Sequence, residues 1–291
     1  MEKWSHMKTN NKLTHSKKVK SNKLKWLSYP YILWMMAFIL IPLFMVLYYG
    51  LTNKDGFFTF ENILQITESM NRKALRLALE LSIASTIICL LLAYPLALIL
   101  SKMQMKSNSF IVLIIILPMW MNFLLRTIAW QNILEKTGII NNFLNFLHLP
   151  TLNIINTPAA IVLGMVYNFL PFMVLPIYNV LIKIDKDIVN AARDLGANSI
   201  HTFLKIIFPL SMPGVLSGIT MVFVPSLTTF VISSILGGSK IVLIGNVIEQ
   251  KFKLGTWHTG SGLSLVLMIF ILLSMAILAK YDKDKEGTNV W

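Results

Sequence analysis

The sequence contains few charged residues and almost no cysteine, and both shortages restrict the kind of protein it can form. Charged residues make up 13% of the 291 positions, whereas an average soluble domain has about 25%. Because Cys89 is the single cysteine, no disulfide can form within the chain, and we expect its side chain to fill space in an apolar core. With 55% hydrophobic residues, the composition excludes an ordinary water-soluble domain.

Sequence motifs for nucleotide hydrolysis, metal binding and nucleophilic catalysis are also missing. No Gly-Lys dipeptide occurs, which excludes the phosphate-binding loop of P-loop ATPases, and H-E-x-x-H, G-x-S-x-G and C-x-x-C are absent. The 5 histidines do not have the spacing of metal ligands. We therefore expect no enzymatic activity, cofactor or metal in this chain. Any ATP hydrolysis that drives it must take place on another protein.

Long apolar runs are what the sequence has in abundance. A transmembrane helix needs about 20 predominantly apolar residues to cross the hydrocarbon core of a bilayer. Six runs meet this requirement, at approximately 29–51, 77–100, 109–130, 159–182, 213–236 and 262–281. The sequence therefore predicts an all-α integral membrane protein with six transmembrane helices in one domain over residues 29–281.

Polar ends flank these spans and indicate the orientation of the chain. Residues 1–28 contain eight lysines and one acid, Glu2, with too little apolar surface to fold alone, so we expect a disordered basic tail. Residues 282–291 form a second, short tail. Positive residues next to spans favour the cytoplasm, and with the N-terminus inside, the inner segments hold 17 of the 26 basic residues. Both termini are expected in the cytoplasm of a multi-pass membrane protein.

The formal charge of +13 does not indicate nucleic-acid binding. Eight of the basic residues lie in the tail beside the first span, where they would meet anionic lipid head groups. We expect the lipid bilayer as a partner and no nucleic acid.

A polar stretch over residues 185–209, between the fourth and fifth spans, has the spacing of two short helices. Asp185 suits an N-cap and Gly196 suits the left-handed turn that ends a helix. Apolar residues follow at the spacing of one helix face: Ile188, Ala191, Ala192 and Leu195. We expect the second short helix to stop at Pro209 and the fifth span to start near residue 213, with Ser211 as its cap. A plain interfacial linker has the same pattern.

This stretch resembles the EAA loop of ABC importer permeases. That motif reads E-A-A, three residues, Gly and then a hydrophobic-Pro pair, and here residues 190–196 read NAARDLG and residues 208–209 read Phe-Pro. Asn190 replaces the glutamate and so removes a charge from the motif. The resemblance implies a cytoplasmic coupling helix that docks in a cleft of an ATPase subunit, with these contact residues: Asn190, Ala191, Ala192, Asp194 and Gly196.

Further segments resemble the spermidine/putrescine (PotB-type) permease subunits of ABC importers. They are LPMWMNFLLR at 117–126, LPFMVLPIY at 170–178, and residues 237–248, and the similarity runs from about residue 30 to 281. The resemblance implies import of polyamines across a bacterial cell membrane. It also implies a homodimer of ATPase subunits that binds ATP and Mg, a second homologous permease subunit and an extracellular polyamine-binding protein.

A pathway for polyamines, which are flexible polycations, needs carboxylates, polar oxygens and aromatic faces. Five residues in or near the spans offer these groups: Glu80, Trp120, Trp130, Tyr167 and Asn168. Each has a structural alternative, since tryptophan also anchors membrane interfaces and Glu80 can pair with Arg76 one helical turn away. Arg126 would repel a polycation, so we expect it to have a structural pairing role.

Two further alternatives remain open in the sequence. A stand-alone secondary transporter for a small cation could use Glu80 as its site, although no internal repeat of the kind common in that class is apparent. Residues 139–147 have an amphipathic helical pattern, which would cover either the chain's own spans or a docked binding protein.

Overall fold

The computed structural model describes residues 29–103, 113, 117–238 and 240–286, with side chains described up to residue 280. In these ranges the chain is helical, and the one extended pairing is an isolated bridge between Thr52 and Phe58. The helices are α1 (Tyr29–Leu51), α2 (Glu61–Leu64), α3 (Ser69–Lys102), α4 (Phe123–Leu134), α5 (Ile139–Phe146), α6 (Pro158–Leu181), α7 (Lys186–Asp194), α8 (Ser199–Thr228), α9 (Val231–Leu236), α10 (Ile244–Lys253) and α11 (Trp257–Glu286).

Five of these helices, α1, α3, α6, α8 and α11, are long and apolar enough to cross a membrane. They correspond to five of the six predicted spans. The first part of the remaining span, predicted over 109–130, falls mostly on residues outside the described ranges. Its second part forms a 3-10 turn at Leu117–Trp120 followed by α4. The basic tail predicted over residues 1–28 also lies outside the described residues.

The fifth span does not begin where the sequence predicts. Helix α8 runs without interruption from Ser199 to Thr228, so the predicted stop at Pro209 was wrong. A π-turn over Phe203–Ile207 precedes the proline, and the Phe208 N–H bonds to the Phe203 carbonyl five residues back. Pro209 therefore follows a turn whose hydrogen bonds are already shifted, and its missing N–H does not end the helix.

Ser211 is consequently not the cap of a new helix. It lies inside α8, is fully buried, and donates its hydroxyl to the Phe208 carbonyl oxygen at 2.9 Å. At the other end, the helix stops at Thr228, eight residues before the predicted limit, and α9 begins separately at Val231.

Helices α3, α6 and α8 pack against one another and form the core of the molecule. Small residues allow close contact between α6 and α8: a Cβ added at Gly214 would lie 2.8 Å from the Pro176 carbonyl oxygen. Ser82 and Thr86 of α3 are buried but satisfied, because each donates its hydroxyl to a backbone carbonyl of its own helix. Pro171 and Pro176 are accommodated within α6.

Helix α5 covers less of the chain than its pattern indicates. Gly138 is its N-cap, and Ile140 packs against the core. However, Ile139, Phe143 and Phe146 are strongly exposed. The inward position on the helix is taken by Asn141, whose side chain bonds to the backbone at Leu152 and Glu135. The described chain therefore leaves one apolar side of α5 uncovered.

Candidate functional site

Helix α7 and the turn after it have the local geometry that the sequence predicts. The Asp185 carboxylate accepts a hydrogen bond from the Asp187 N–H at 2.9 Å, which caps the helix. At the other end, Gly196 has φ +85°, its N–H bonds to the Arg193 carbonyl at 2.9 Å, and the Ala197 N–H bonds to the Ala192 carbonyl at 3.0 Å. This pair of bonds is the Schellman motif, in which glycine is preferred because it has no Cβ.

Helix α7 has two different sides. Ile188 and Leu195, on the apolar side, are 48% and 89% exposed, so the described chain covers Ile188 only in part and leaves Leu195 almost bare. Lys186, Val189, Asn190 and Arg193 project from the opposite side and line a cavity of about 420 Å³ that reaches the ends of α3 and α6. Asn190 thus lies away from Ala191 and Leu195. The residues predicted for ATPase contact are brought into one short helix but do not share one side of it.

The start of α8 is joined to α3 by a contact that the sequence does not predict. The Tyr94 hydroxyl lies 2.7 Å from the Ser211 hydroxyl, and both side chains are buried. The Tyr94 ring centroid is 5.6 Å from that of Phe203 and 5.8 Å from that of Phe208, at the two ends of the π-turn. A tyrosine next to Pro95 in the second predicted span was the available sequence signal, but the spacing does not show its partner.

The structure brings together two of the five predicted pathway residues. The rings of Trp130 and Tyr167 are in edge contact, with centroids 5.2 Å apart. Asn168, next in sequence, is 1% exposed, and its amide donates to the Gly164 carbonyl at 2.9 Å, while its Oδ1 has no partner among the described residues. Trp120 is 80% exposed. Glu80 is held at 2.7 Å by Arg76, the structural pairing that the sequence left open.

Arg126 lies on the same side of α4 as Trp130 and is 8% exposed. Its Nε and Nη1 atoms are buried and have no hydrogen-bond partner in the described part of the chain. The pairing role that we expected for this arginine therefore has no partner there. A buried unpaired guanidinium is costly in a protein interior, which makes this position unusual.

Among the described residues, no group of three or more His, Cys, Asp and Glu side chains could hold a metal ion. The candidate site is therefore made of surfaces and packing contacts: the exposed side of α7, the contact of α3 with the π-turn, and the aromatic pair between α4 and α6.

Known proteins resemble this chain over most of its length. A family model described as "Binding-protein-dependent transport system inner membrane component" matches residues 17–283. The chain is 35% identical over 262 residues to the spermidine/putrescine transport system permease protein PotB of Haemophilus influenzae, covering 87% of this chain and 91% of that one. It is 34% identical over 253 residues to PotB of Escherichia coli (strain K12), covering 84% and 92%.

Solved structures show the same fold at low sequence identity. A bacterial ABC transporter involved in the import of the acidic polysaccharide alginate matches with a TM-score of 0.75 at 15% identity, over 90% of this chain and 96% of that one. Since the family model matches most of the chain and the PotB relatives match nearly their full length, this protein belongs to the binding-protein-dependent transport system inner membrane component family and is a multi-pass permease component of an ABC transporter rather than an enzyme.

Proposed function

We propose that this chain is the permease subunit of an ATP-driven importer that moves polyamines, spermidine or putrescine, into the cytoplasm of a bacterium. The observation that supports this substrate class is the identity of 35% and 34% to two permeases named for spermidine and putrescine transport. The match extends over more than nine tenths of each relative, so it includes the spans and the loops between them.

In this proposal the chain crosses the cell membrane six times, and the predicted span over 109–130 supplies the third crossing. Both termini lie in the cytoplasm, and the tails at 1–28 and 282–291 flank the permease domain. The positions of the basic residues support this orientation. It places α7 on the cytoplasmic side, where an ATPase subunit can reach it.

The exposed side of α7 is the proposed contact with the ATPase. Leu195 and Ile188 expose apolar side chains, which a linker surrounded by water has no need to do. The small side chain of Ala191 lets another protein surface approach closely. The Tyr94 contact then joins this region to α3, so a displacement of α7 and of the π-turn acts directly on a second span. Asn190, Ala192, Asp194 and Gly196 complete the proposed coupling segment.

Partners supply what this chain lacks. A homodimer of ATPase subunits binds ATP and Mg, a second homologous permease subunit completes the pathway, and an extracellular protein delivers the polyamine. A related alginate ABC transporter has been solved in complex with an alginate pentasaccharide-bound periplasmic protein. This chain binds no cofactor of its own in the proposal.

The proposed pathway passes the aromatic pair of Trp130 and Tyr167 and the exposed ring of Trp120, since aromatic faces attract ammonium groups. Asn168 adds a buried amide oxygen that has no hydrogen-bond partner within the described chain. Glu80 is the weakest member of this set, because Arg76 already neutralises its charge. The same ion pair weakens the alternative of a stand-alone cation transporter built on Glu80.

Uptake in membrane vesicles tests the proposal. Vesicles that contain this chain, its ATPase subunit, the second permease and the loaded binding protein should accumulate radiolabelled spermidine or putrescine only when ATP is present inside. Omission of the ATPase subunit is the matched control and should abolish uptake. Uptake by this chain alone, driven by an ion gradient without ATP, would overturn the proposal in favour of a secondary transporter.

A further inference from the structure

Two neighbouring cavities lie where the ends of α3 and α6 meet α7 and the start of α8. Their volumes are about 420 Å³ and about 330 Å³, and they share four lining residues: Leu98, Lys102, Arg193 and Ile207. Because they share these walls, we treat them as one space, the basal cleft, defined by the residues that line the two cavities. It opens beside the ends of membrane-spanning helices.

Positive charge in the basal cleft is not balanced by an acidic side chain among the residues that the structure describes. Lys102 of α3 and Lys186 and Arg193 of α7 line it, and no acidic residue does. The ion pairs found among the described residues, Arg76–Glu80 and Lys253–Glu249, involve none of these three cations. Three like charges in one concave space create a positive potential that attracts an anion.

The remaining walls of the basal cleft are mostly apolar and belong to the ends of spans. They are formed by side chains such as Leu98, Leu181, Ile184, Ile200, Phe203 and Leu204. Ile200 and Leu204 are strongly exposed, so the apolar wall continues onto the outer surface of α8. A charged rim next to an apolar wall fits a molecule with an anionic head and a hydrocarbon tail.

We propose that the basal cleft binds an anionic phospholipid, with its phosphate against Lys102, Lys186 and Arg193 and an acyl chain along the apolar wall. Basic pockets at the ends of membrane helices bind anionic head groups, and arginine pairs with phosphate oxygens by two parallel hydrogen bonds. A free phosphate ion would leave the apolar wall unused. An acidic side chain of a soluble partner would leave it unused as well.

Such a lipid would connect two elements of the coupling region. Lys102 belongs to α3 whereas Lys186 and Arg193 belong to α7, so one phosphate bridges both helices. It would bind the side of α7 that is opposite to Ile188 and Leu195. The lipid would therefore hold α7 in place without covering its exposed apolar side.

Lipid binding to the full-length protein tests the proposal and does not depend on transport. The protein is placed in nanodiscs of phosphatidylethanolamine with increasing phosphatidylglycerol, and bound lipid is counted by native mass spectrometry after mild delipidation. The double variant Lys102→Gln/Arg193→Gln is compared with Lys183→Gln/Lys205→Gln. The control removes two exposed cations on neighbouring segments that do not line the basal cleft.

We expect the wild-type chain and the control to retain phosphatidylglycerol with dissociation constants that agree within about twofold, within the usual effect of an exposed substitution. The Lys102→Gln/Arg193→Gln variant should bind about 10- to 30-fold more weakly, as the loss of two contributing charges predicts. If that variant does not fold, as judged by circular dichroism and gel filtration, Lys186→Gln takes its place with an expected loss of about fivefold.

Three results would overturn the proposal. Equal losses in both double variants would mean that only general surface charge attracts the lipid. Equal retention of phosphatidylethanolamine would exclude recognition of an anionic head group. Displacement of phosphatidylglycerol by millimolar inorganic phosphate, without need for an acyl chain, would make the basal cleft a site for free anions. Each of these results would leave the polyamine transport proposal untouched, because ATP-dependent uptake is measured separately.

Discussion

Helices α1 and α6 are both apolar enough to cross a membrane, yet they occupy opposite environments. None of the most apolar part of α1 is buried inside the chain, whereas more than half of that of α6 is buried. Helix α1 presents large side chains such as Trp34 and Phe38 on its surface, while α6 packs through Gly164 and the hydrogen-bonded Asn168. Hydropathy identifies a span, but small and polar residues show which spans form the core.

The largest effect should come from filling the core where two helices touch. Gly214→Leu would force a side chain against backbone atoms of Pro176 and Ile177, so we expect a loss of about 3 kcal/mol or more and little protein in the membrane. Ala37→Leu on exposed α1 is the matched control and should change stability by less than about 0.5 kcal/mol. Thermal unfolding in detergent and immunoblotting measure both. If the two variants were equally stable, the distinction between a packed core helix and the exposed helix α1 would be contradicted.

Trp120 tests whether an exposed aromatic ring has a function beyond packing. If the ring attracts an ammonium group, Trp120→Leu should lower polyamine uptake by about 5- to 30-fold, the effect of about 1–2 kcal/mol for a desolvated cation–π contact. Trp120→Phe should lose less, because it keeps an aromatic face. Initial uptake rates, normalised to protein in the membrane, provide the measurement. Similar losses in both variants would indicate that the indole anchors the chain at the membrane interface.

The hydroxyl pair between Tyr94 and Ser211 should have a moderate effect. Tyr94→Phe removes one buried hydrogen bond at a cost of about 1 kcal/mol, and Ser211→Ala costs about 1–3 kcal/mol because it leaves a buried hydroxyl without its partner. The double variant should lose less than the sum of the single variants by about 1 kcal/mol. A double-mutant cycle on thermal stability measures this coupling. Strict additivity would mean that the two hydroxyls do not interact.

The smallest effect should come from the exposed pair of Arg76 and Glu80. Their side chains are 81% and 54% exposed, so Glu80→Gln should change stability by less than about 0.5 kcal/mol. Thermal unfolding checks this value, and uptake is measured on the same preparation. A more than tenfold loss of uptake at unchanged stability would restore Glu80 to the substrate pathway.

Local features were the part of the structure that the sequence predicted well. The Asp185 cap and the left-handed Gly196 both follow from the intrinsic preferences of those residues, and both are present. The predicted helix end at Pro209 is wrong, because the effect of a proline depends on the hydrogen bonds of the preceding turn. The π-turn over Phe203–Ile207 packs against one ring from another helix, that of Tyr94, and single-sequence periodicity contains no information about such a contact.

Pathway residues were harder to predict because their environment depends on packing between helices. Trp130 and Tyr167 are 37 positions apart, and only the packing of α4 against α6 brings their rings together. The sequence predicts a structural pairing role for Arg126, but burial without a partner among the described residues cannot be inferred from its neighbours in sequence. The opposite placement of Asn190 and Leu195 on α7, in contrast, follows directly from helical periodicity.

ATP hydrolysis by the reconstituted complex tests most directly the proposed coupling of this permease to an ATPase through α7 and its Gly196 turn. Gly196→Val is compared with Gly56→Val, since these glycines have φ +85° and +82° and neither has another atom within 4 Å of an added Cβ. Each substitution should therefore cause the same backbone strain of about 1–2 kcal/mol. We expect both proteins to reach the membrane in normal amounts, with stimulation of ATP hydrolysis by the loaded binding protein lost in Gly196→Val and retained in Gly56→Val. Full stimulation in Gly196→Val would contradict the claim and leave this segment as a linker between two spans.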